Sequence, residues 1–255
     1  VALASGARWS AHGTGTPVTV IVHGLGATEG EARIPASGLR GTRVVVTLPG
    51  HGRASDAPAD YWTYSRIAED VLGIADEVEA TRAVGVSLGA GALTRIAASH
   101  PTRFERLALL LPAALDQPRD PAGAETFARL AAAVTTAAAD GGAQLRKLIA
   151  EDVPAGADVG DYVERRAAVL TRLEDALRSV PYRNPLEHAG ALAEVAARVL
   201  VIGATEDPLH PAEIARSTAD ALPAARLELL PSAAPMVTHR GELRRVLTEF
   251  LNDRG

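Results

Sequence analysis

A doubly wound α/β fold, with a mostly parallel sheet and an inserted helical lid, is what the order of segments in this chain predicts. Six short β-branched or aliphatic runs alternate with stretches of helical spacing, and strands that alternate with helices argue for a parallel sheet. The rhythm breaks once, over 113–185, where Ala, Arg, Leu and Glu dominate and strand signals vanish. At 255 residues the chain has room for one sizeable α/β domain with an insertion, and length alone does not require two independent domains.

In chain order the predicted strands are 18–22, 43–48, 82–86, 107–111, 199–202 and 227–230. Between the second and third, Ile67, Val71, Ile74 and Ala75 recur at helical spacing, as do Leu93, Ile96 and Ala97 after the third. Pro112, Pro118, Pro121, Pro154 and Pro181 punctuate what reads as three helices in the inserted stretch. The core is therefore expected over 1–112 and 186–255, with the lid over 113–185. Insertions at the carboxyl ends of parallel strands are where α/β folds bind ligands; extra cover for the core is the plainer alternative.

Composition narrows the partners. Apolar residues make up 47% of the chain, and the formal charge of -5 is spread without a basic stripe, so nucleic acid is not an expected partner. No run approaches the roughly eighteen apolar residues needed to span a bilayer, and no membrane partner is expected. The first twenty residues lack a secretory layout, which makes the cytoplasm the expected location. Absence of cysteine excludes disulfides and thiolate chemistry but says little about compartment. Nothing resembling a heptad specifies an oligomeric state.

The segment Gly85-Val86-Ser87-Leu88-Gly89 follows a β-branched run and opens an Ala-rich helical pattern. Such a sharp strand-to-helix turn exposes a serine hydroxyl above the sheet edge, which makes Ser87 the candidate nucleophile. His23-Gly24-Leu25-Gly26 leaves the first predicted strand at the same edge. The amides of Leu25 and Leu88 are the natural pair to hold a developing oxyanion, because fixed backbone donors need no reorganisation when charge appears. Alone, His23-Gly24-Leu25-Gly26 would read as a tight turn. His51, in the turn-rich loop after the second predicted strand, precedes the nucleophile and reads as a structural histidine.

Together, His23-Gly24, Pro49-Gly50-His51-Gly52, Gly85-Val86-Ser87-Leu88-Gly89 and Asp207-Pro208 resemble the α/β-hydrolase superfamily over nearly the whole chain. The resemblance implies a serine-nucleophile esterase, lactonase or thioesterase-like activity. It assigns Asp207, after the next-to-last strand, as the carboxylate that orients the base; Glu206 beside it reads as an exposed loop acid. It also implies a histidine in the loop after the last strand, and there the chain has Pro231-Ser232-Ala233-Ala234-Pro235. Ala233 occupies the position of the base. Losing the base of a serine triad costs on the order of 10⁶ in turnover.

Three explanations compete: deliberate alteration, natural loss of hydrolysis, or a base supplied from elsewhere. His210 lies three residues beyond Asp207, so its Cα is within about 11 Å of that residue, and it is taken as the relocated base. Its competing reading is a polar cap ahead of Pro211 at a helix start. His239 is the second candidate, and on the inward stripe of the last helix it reads as a packed, hydrogen-bonded side chain. His12, His100 and His188 have no motif context, and His100-Pro101 reads as a helix end.

No His-x-His or His-Glu-x-x-His pattern supports a metal site, and no acidic residue ends the second predicted strand where a dinucleotide ribose would be held. Neither metal nor cofactor is expected. A serine at the elbow argues against relatives on this fold that need an aspartate nucleophile. The expected activity is hydrolysis of a small apolar ester, lactone or thioester. A ligand-binding protein, or a non-hydrolytic cyclase or lyase on the same fold, is the alternative that Ala233 motivates.

Overall fold

The computed structural model describes residues 1–119, 121–154, 156 and 159–253. In chain order the elements are β1 (Arg8–His12), β2 (Val18–Val22), α1 (Glu29–Arg33), β3 (Thr42–Thr47), α2 (Tyr64–Glu77), β4 (Arg82–Val86), α3 (Leu88–Ser99) and β5 (Arg106–Leu110). Then come α4 (Pro121–Asp140), α5 (Ala143–Glu151), α6 (Tyr162–Leu170), α7 (Glu174–Ser179), β6 (Arg198–Ala204), α8 (Ala212–Asp220), β7 (Ala225–Leu230), α9 (Pro235–Thr238) and α10 (Arg240–Asn252).

The strands form one sheet in the order β1-β3-β2-β4-β5-β6-β7, and every pairing is parallel except β1 with β3. All six predicted strands are present, each within a residue or two of its expected span. β1 is an addition. Its sequence Arg-Trp-Ser-Ala-His has no apolar alternation because it is an exposed edge strand held by its antiparallel ladder with β3.

Residues alternate across the sheet as the pleat requires. Val20, Val22 and Val201 join one apolar cluster with the faces of α2 and α3, in which Ile67, Val71, Ile74, Leu93 and Ile96 are buried. Ile21, Val84 and Ile202 point the other way, into a second cluster with Leu243, Val246 and Phe250 of α10. With apolar side chains on both faces, burial supplies roughly 1.5–3 kcal/mol for each large one.

The inserted segment holds four described helices, α4 to α7, rather than three. The extra one, α7, is only six residues long and follows the α6 end at Thr171 with no proline between, so no sequence break announces it. Among the described residues no helix is long and apolar enough to cross a membrane.

After β2 the chain adds β3 on one side, then returns to place β4 on the other side of β2. That reversal opens a crevice at the carboxyl ends of β2 and β4, the usual ligand position in an open parallel sheet. Two loops flank it: residues 23–28 after β2 and the Ser87 turn after β4.

Candidate active site

Ser87 has φ 49° and ψ -105°, a backbone state that few non-glycine residues adopt, between the last residue of β4 and the first of α3. Strain of this kind costs on the order of 1–3 kcal/mol and persists only where neighbours enforce it. Here the enforcement is specific. Ser87 N–H donates to the Leu110 carbonyl at 2.9 Å, and the Ser87 carbonyl accepts from Gly91 N–H at 3.0 Å. Gly85 and Gly89 close the turn from inside: a Cβ on Gly85 would collide with the Gly89 carbonyl, and one on Gly89 with the Val22 carbonyl.

Opposite Ser87 lies the loop after β2. A Cβ on Gly24 would be 3.4 Å from Ser87 Cβ, so the loop runs directly past the hydroxyl. Two buried histidines fix its path. His23 Nδ1 donates to the Gly24 carbonyl at 2.8 Å while its Nε2 accepts from Leu48 N–H at 3.1 Å. His51 Nδ1 donates to the Pro49 carbonyl at 2.9 Å while its Nε2 accepts from Gly26 N–H at 2.9 Å. The two rings lie 4.4 Å apart between centroids.

Burial pushes the His23 imidazole below its usual range. Burial, with His23 beside it, pushes His51 further down. His51 is thus the structural residue its loop context predicts, and His23 joins it. The loop ends at a capping box in which Thr28 and Glu31 exchange side-chain and backbone bonds at 3.3 and 2.8 Å. Between these anchors, Leu25 N–H donates to no backbone carbonyl among the described residues. Leu88, as the first residue of α3, carries one of the helix's unshared N–H groups.

His210 brings its Nε2 to 2.9 Å from Ser87 Oγ and its Nδ1 to 2.7 Å from Asp207 Oδ2. The capping alternative is absent: Pro211 holds the N-cap position of α8 and no side chain bonds to that end. Asp207 and His210 are the two ends of one turn, closed by His210 N–H on the Asp207 carbonyl at 3.3 Å and Leu209 N–H on Asp207 Oδ1 at 2.9 Å.

Burial alone would raise the Asp207 carboxyl. The His210 hydrogen bond and charge, with the Leu209 and His210 amides, outweigh it and hold Asp207 below the ordinary carboxylate value. Glu206, next to it, is exposed.

Ala233 is exposed in the loop after β7, and that loop is organised by Ser232, whose Oγ lies 2.6 Å from Thr238 Oγ1 and accepts from Ala234 N–H at 2.9 Å. His239 is not on the inward stripe of the last helix: it sits between α9 and α10 as the N-cap residue of α10, half-buried, with Nδ1 2.8 Å from Thr238 Oγ1 in an exposed contact. The structure therefore joins Ser87, His210 and Asp207 in one chain of hydrogen bonds, with Ala233 and His239 outside it.

The inserted segment bonds to three of the loops around the site: those after β2 and β3, and the turn that holds Asp207 and His210. Arg119 Nη1 donates to the Leu209 carbonyl at 2.9 Å and Arg166 Nη1 to the Gly26 carbonyl at 3.2 Å. Arg172 donates to the Gly52 and Ala54 carbonyls at 3.1 and 2.7 Å. None of these arginines lies in a motif, and contacts between a guanidinium and a distant carbonyl leave no periodic trace in sequence. Between α1, the start of α6 and α9 there is a cavity of about 350 Å³. Its apolar lining includes Ile34, Val153, Val159, Tyr162, Met236 and Val237.

Residues 19–245 match the alpha/beta hydrolase family, and the chain belongs to it. Among solved structures, a hydrolase from Pseudomonas aeruginosa PA01 superposes with a TM-score of 0.74 at 25% identity, covering 99% of this chain and 97% of that one. A thermophilic esterase from Thermogutta terrifontis gives 0.72 at 20% identity over 96% and 93% of the two chains. The enol-lactonase from Burkholderia xenovorans LB400 gives 0.71 at 21% identity over 97% and 96%. The last two likenesses are to the fold. No curated protein matches the chain in sequence.

Proposed function

We propose that this chain hydrolyses a small apolar ester, lactone or thioester through an acyl-serine intermediate. Ser87 is the nucleophile, His210 the base and Asp207 its orienting acid. The observation that carries the reading is the unbroken path from Ser87 Oγ to His210 Nε2 at 2.9 Å and from His210 Nδ1 to Asp207 Oδ2 at 2.7 Å. A hydroxyl, an imidazole and a carboxylate in that order supply a nucleophile whose proton has somewhere to go.

Ser87 Oγ attacks the substrate carbonyl carbon as its proton passes to His210 Nε2. The carbonyl oxygen becomes an oxyanion facing the amides of Leu25 and Leu88, whose positions are set before reaction by the His23–His51 pair and by the start of α3. The imidazolium, held through Nδ1–H by Asp207, gives the proton to the departing alcohol or thiol. Water then attacks the acyl-Ser87 carbonyl, His210 takes its proton, and collapse of the second oxyanion returns the serine hydroxyl and releases the acid. The inserted helices, whose arginines reach the loops beside Ser87 and His210, act as a lid.

A fluorophosphonate probe, which needs an activated serine, tests the assignment. The wild-type protein labels at Ser87 and S87A does not label. Labelling of S87A at another residue refutes the nucleophile, and an unlabelled wild-type protein refutes acyl transfer itself.

A further inference from the structure

The proposed acid and base share one short turn instead of standing on two separate loops, so whatever orients that turn orients both. Its internal bonds, His210 N–H to the Asp207 carbonyl at 3.3 Å and Leu209 N–H to Asp207 Oδ1 at 2.9 Å, leave the Leu209 carbonyl for a partner outside the turn. The rigid peptide plane between Leu209 and His210 contains both the Leu209 carbonyl and the His210 Cα. A donor on that carbonyl fixes the plane from which the imidazole projects. Arg119 Nη1 is such a donor, at 2.9 Å. The Arg119 guanidinium is itself braced, with its central carbon 5.1 Å from the centre of the Phe127 ring of α4.

Arg166 and Arg172 make contacts of the same kind, but to the loops after β2 and β3. Arg119 alone among these three reaches the turn with Asp207 and His210. We infer that Arg119 is a positioning residue for the base: through the Leu209 carbonyl it sets the angle at which His210 meets Ser87, and so couples the placement of the inserted helices to the chemical step. This rests on the reading of Ser87, His210 and Asp207 as the reacting set.

The test compares full-length wild type, R119M, R119K and H210A on p-nitrophenyl acetate, with fluorophosphonate titration counting the competent serines in each preparation. A control, R129M, removes a lid arginine whose ion pair with Glu151 is solvent-exposed. A misplacement of the base by about an ångström costs on the order of 10²-fold in rate, so R119M is expected to lose 10- to 100-fold in kcat per competent site with KM within about threefold. R119K, which keeps a donor without the planar fork, falls between, and R129M matches wild type. Added ethylguanidinium restores part of kcat to R119M and none to H210A.

A wild-type kcat in R119M, or a loss confined to KM, overturns the inference. So does an R119K no better than R119M together with no rescue. The two levels separate cleanly: an H210A that turns over like wild type sinks the catalytic reading, whereas an inactive H210A beside a fully active R119M sinks only the role of Arg119.

Discussion

Asp207 and His210 face each other across a single turn, with Oδ2 of the acid 2.7 Å from Nδ1 of the imidazole, while the loop after β7 presents only Ala233. With the proposed base on the proposed acid's own turn, the proposed mechanism has no need of the loop after the last strand. His210 to Ala is therefore expected to lower kcat on an activated ester by 10⁴- to 10⁶-fold, the range seen when a serine triad loses a member. Introducing histidine at Ala233 is expected to leave turnover within a few-fold of wild type. A gain of a hundredfold or more in A233H would mean that the site was disabled and that His210 is a bystander.

Asp207 has two separate tasks that one substitution divides. Oδ1 accepts from Leu209 N–H and Oδ2 holds His210, so D207N can keep the first bond and lose the charge behind the second. Turnover is expected to fall by about 10⁴, the scale found when an asparagine misdirects the imidazole tautomer. The turn survives, so the melting temperature should move by only a few degrees at neutral pH. Kinetics and calorimetry on one preparation check both halves, and a D207N with normal turnover removes Asp207 from the mechanism.

How much of this was legible in the sequence depends on the kind of signal each part leaves. The five inner strands, β2 to β6, are aliphatic runs because the sheet is buried on both faces there, and Ser87 is marked by the glycines that its backbone turn demands. β1 leaves no such mark, since an edge strand with one ladder tolerates Arg8, Ser10 and His12. His210 was reachable only by its short distance from Asp207, and local sequence slightly favoured a helix cap. What separates these readings is where the ring points, which the approach of β4 to β6 through β5 decides and no local window contains. The arginines of the insertion were invisible for the same reason.

The elbow also predicts a contrast between two glycines. A Cβ on Gly89 meets the Val22 carbonyl of a central strand, and neither backbone can yield without breaking the ladder between β2 and β4. G89A is expected to cost more than about 3 kcal/mol, at the upper end for overpacking. Gly73, in the middle of α2, has open space around its missing Cβ, so G73A should stabilise by about 0.5–1 kcal/mol through helix propensity. Chemical denaturation of both variants measures the two signs, and a well-tolerated G89A would show that the turn is looser than its geometry requires.

The buried pair His23 and His51 gives the protein an acid sensitivity of its own. Each ring donates from Nδ1 to a carbonyl and accepts at Nε2 from a backbone N–H, so a second proton would face a donor with no acceptor in reach. Burial lowers both, and around them Glu31 favours the His23 cation while Arg166 opposes that of His51. Their folded pKa values lie below the unfolded value of about 6.5, so below that pH the unfolded chain binds more protons. Stability is then complete above about pH 6.5 and declines as pH falls toward the folded values, by up to about 1.4 kcal/mol per pH unit for each histidine. Urea midpoints between pH 7.5 and 5 measure the slope. H51Q, which can still accept from Gly26 N–H but does not titrate, should flatten it by about half, and a variant slope equal to that of wild type would show that the loop beside Ser87 takes up its proton elsewhere.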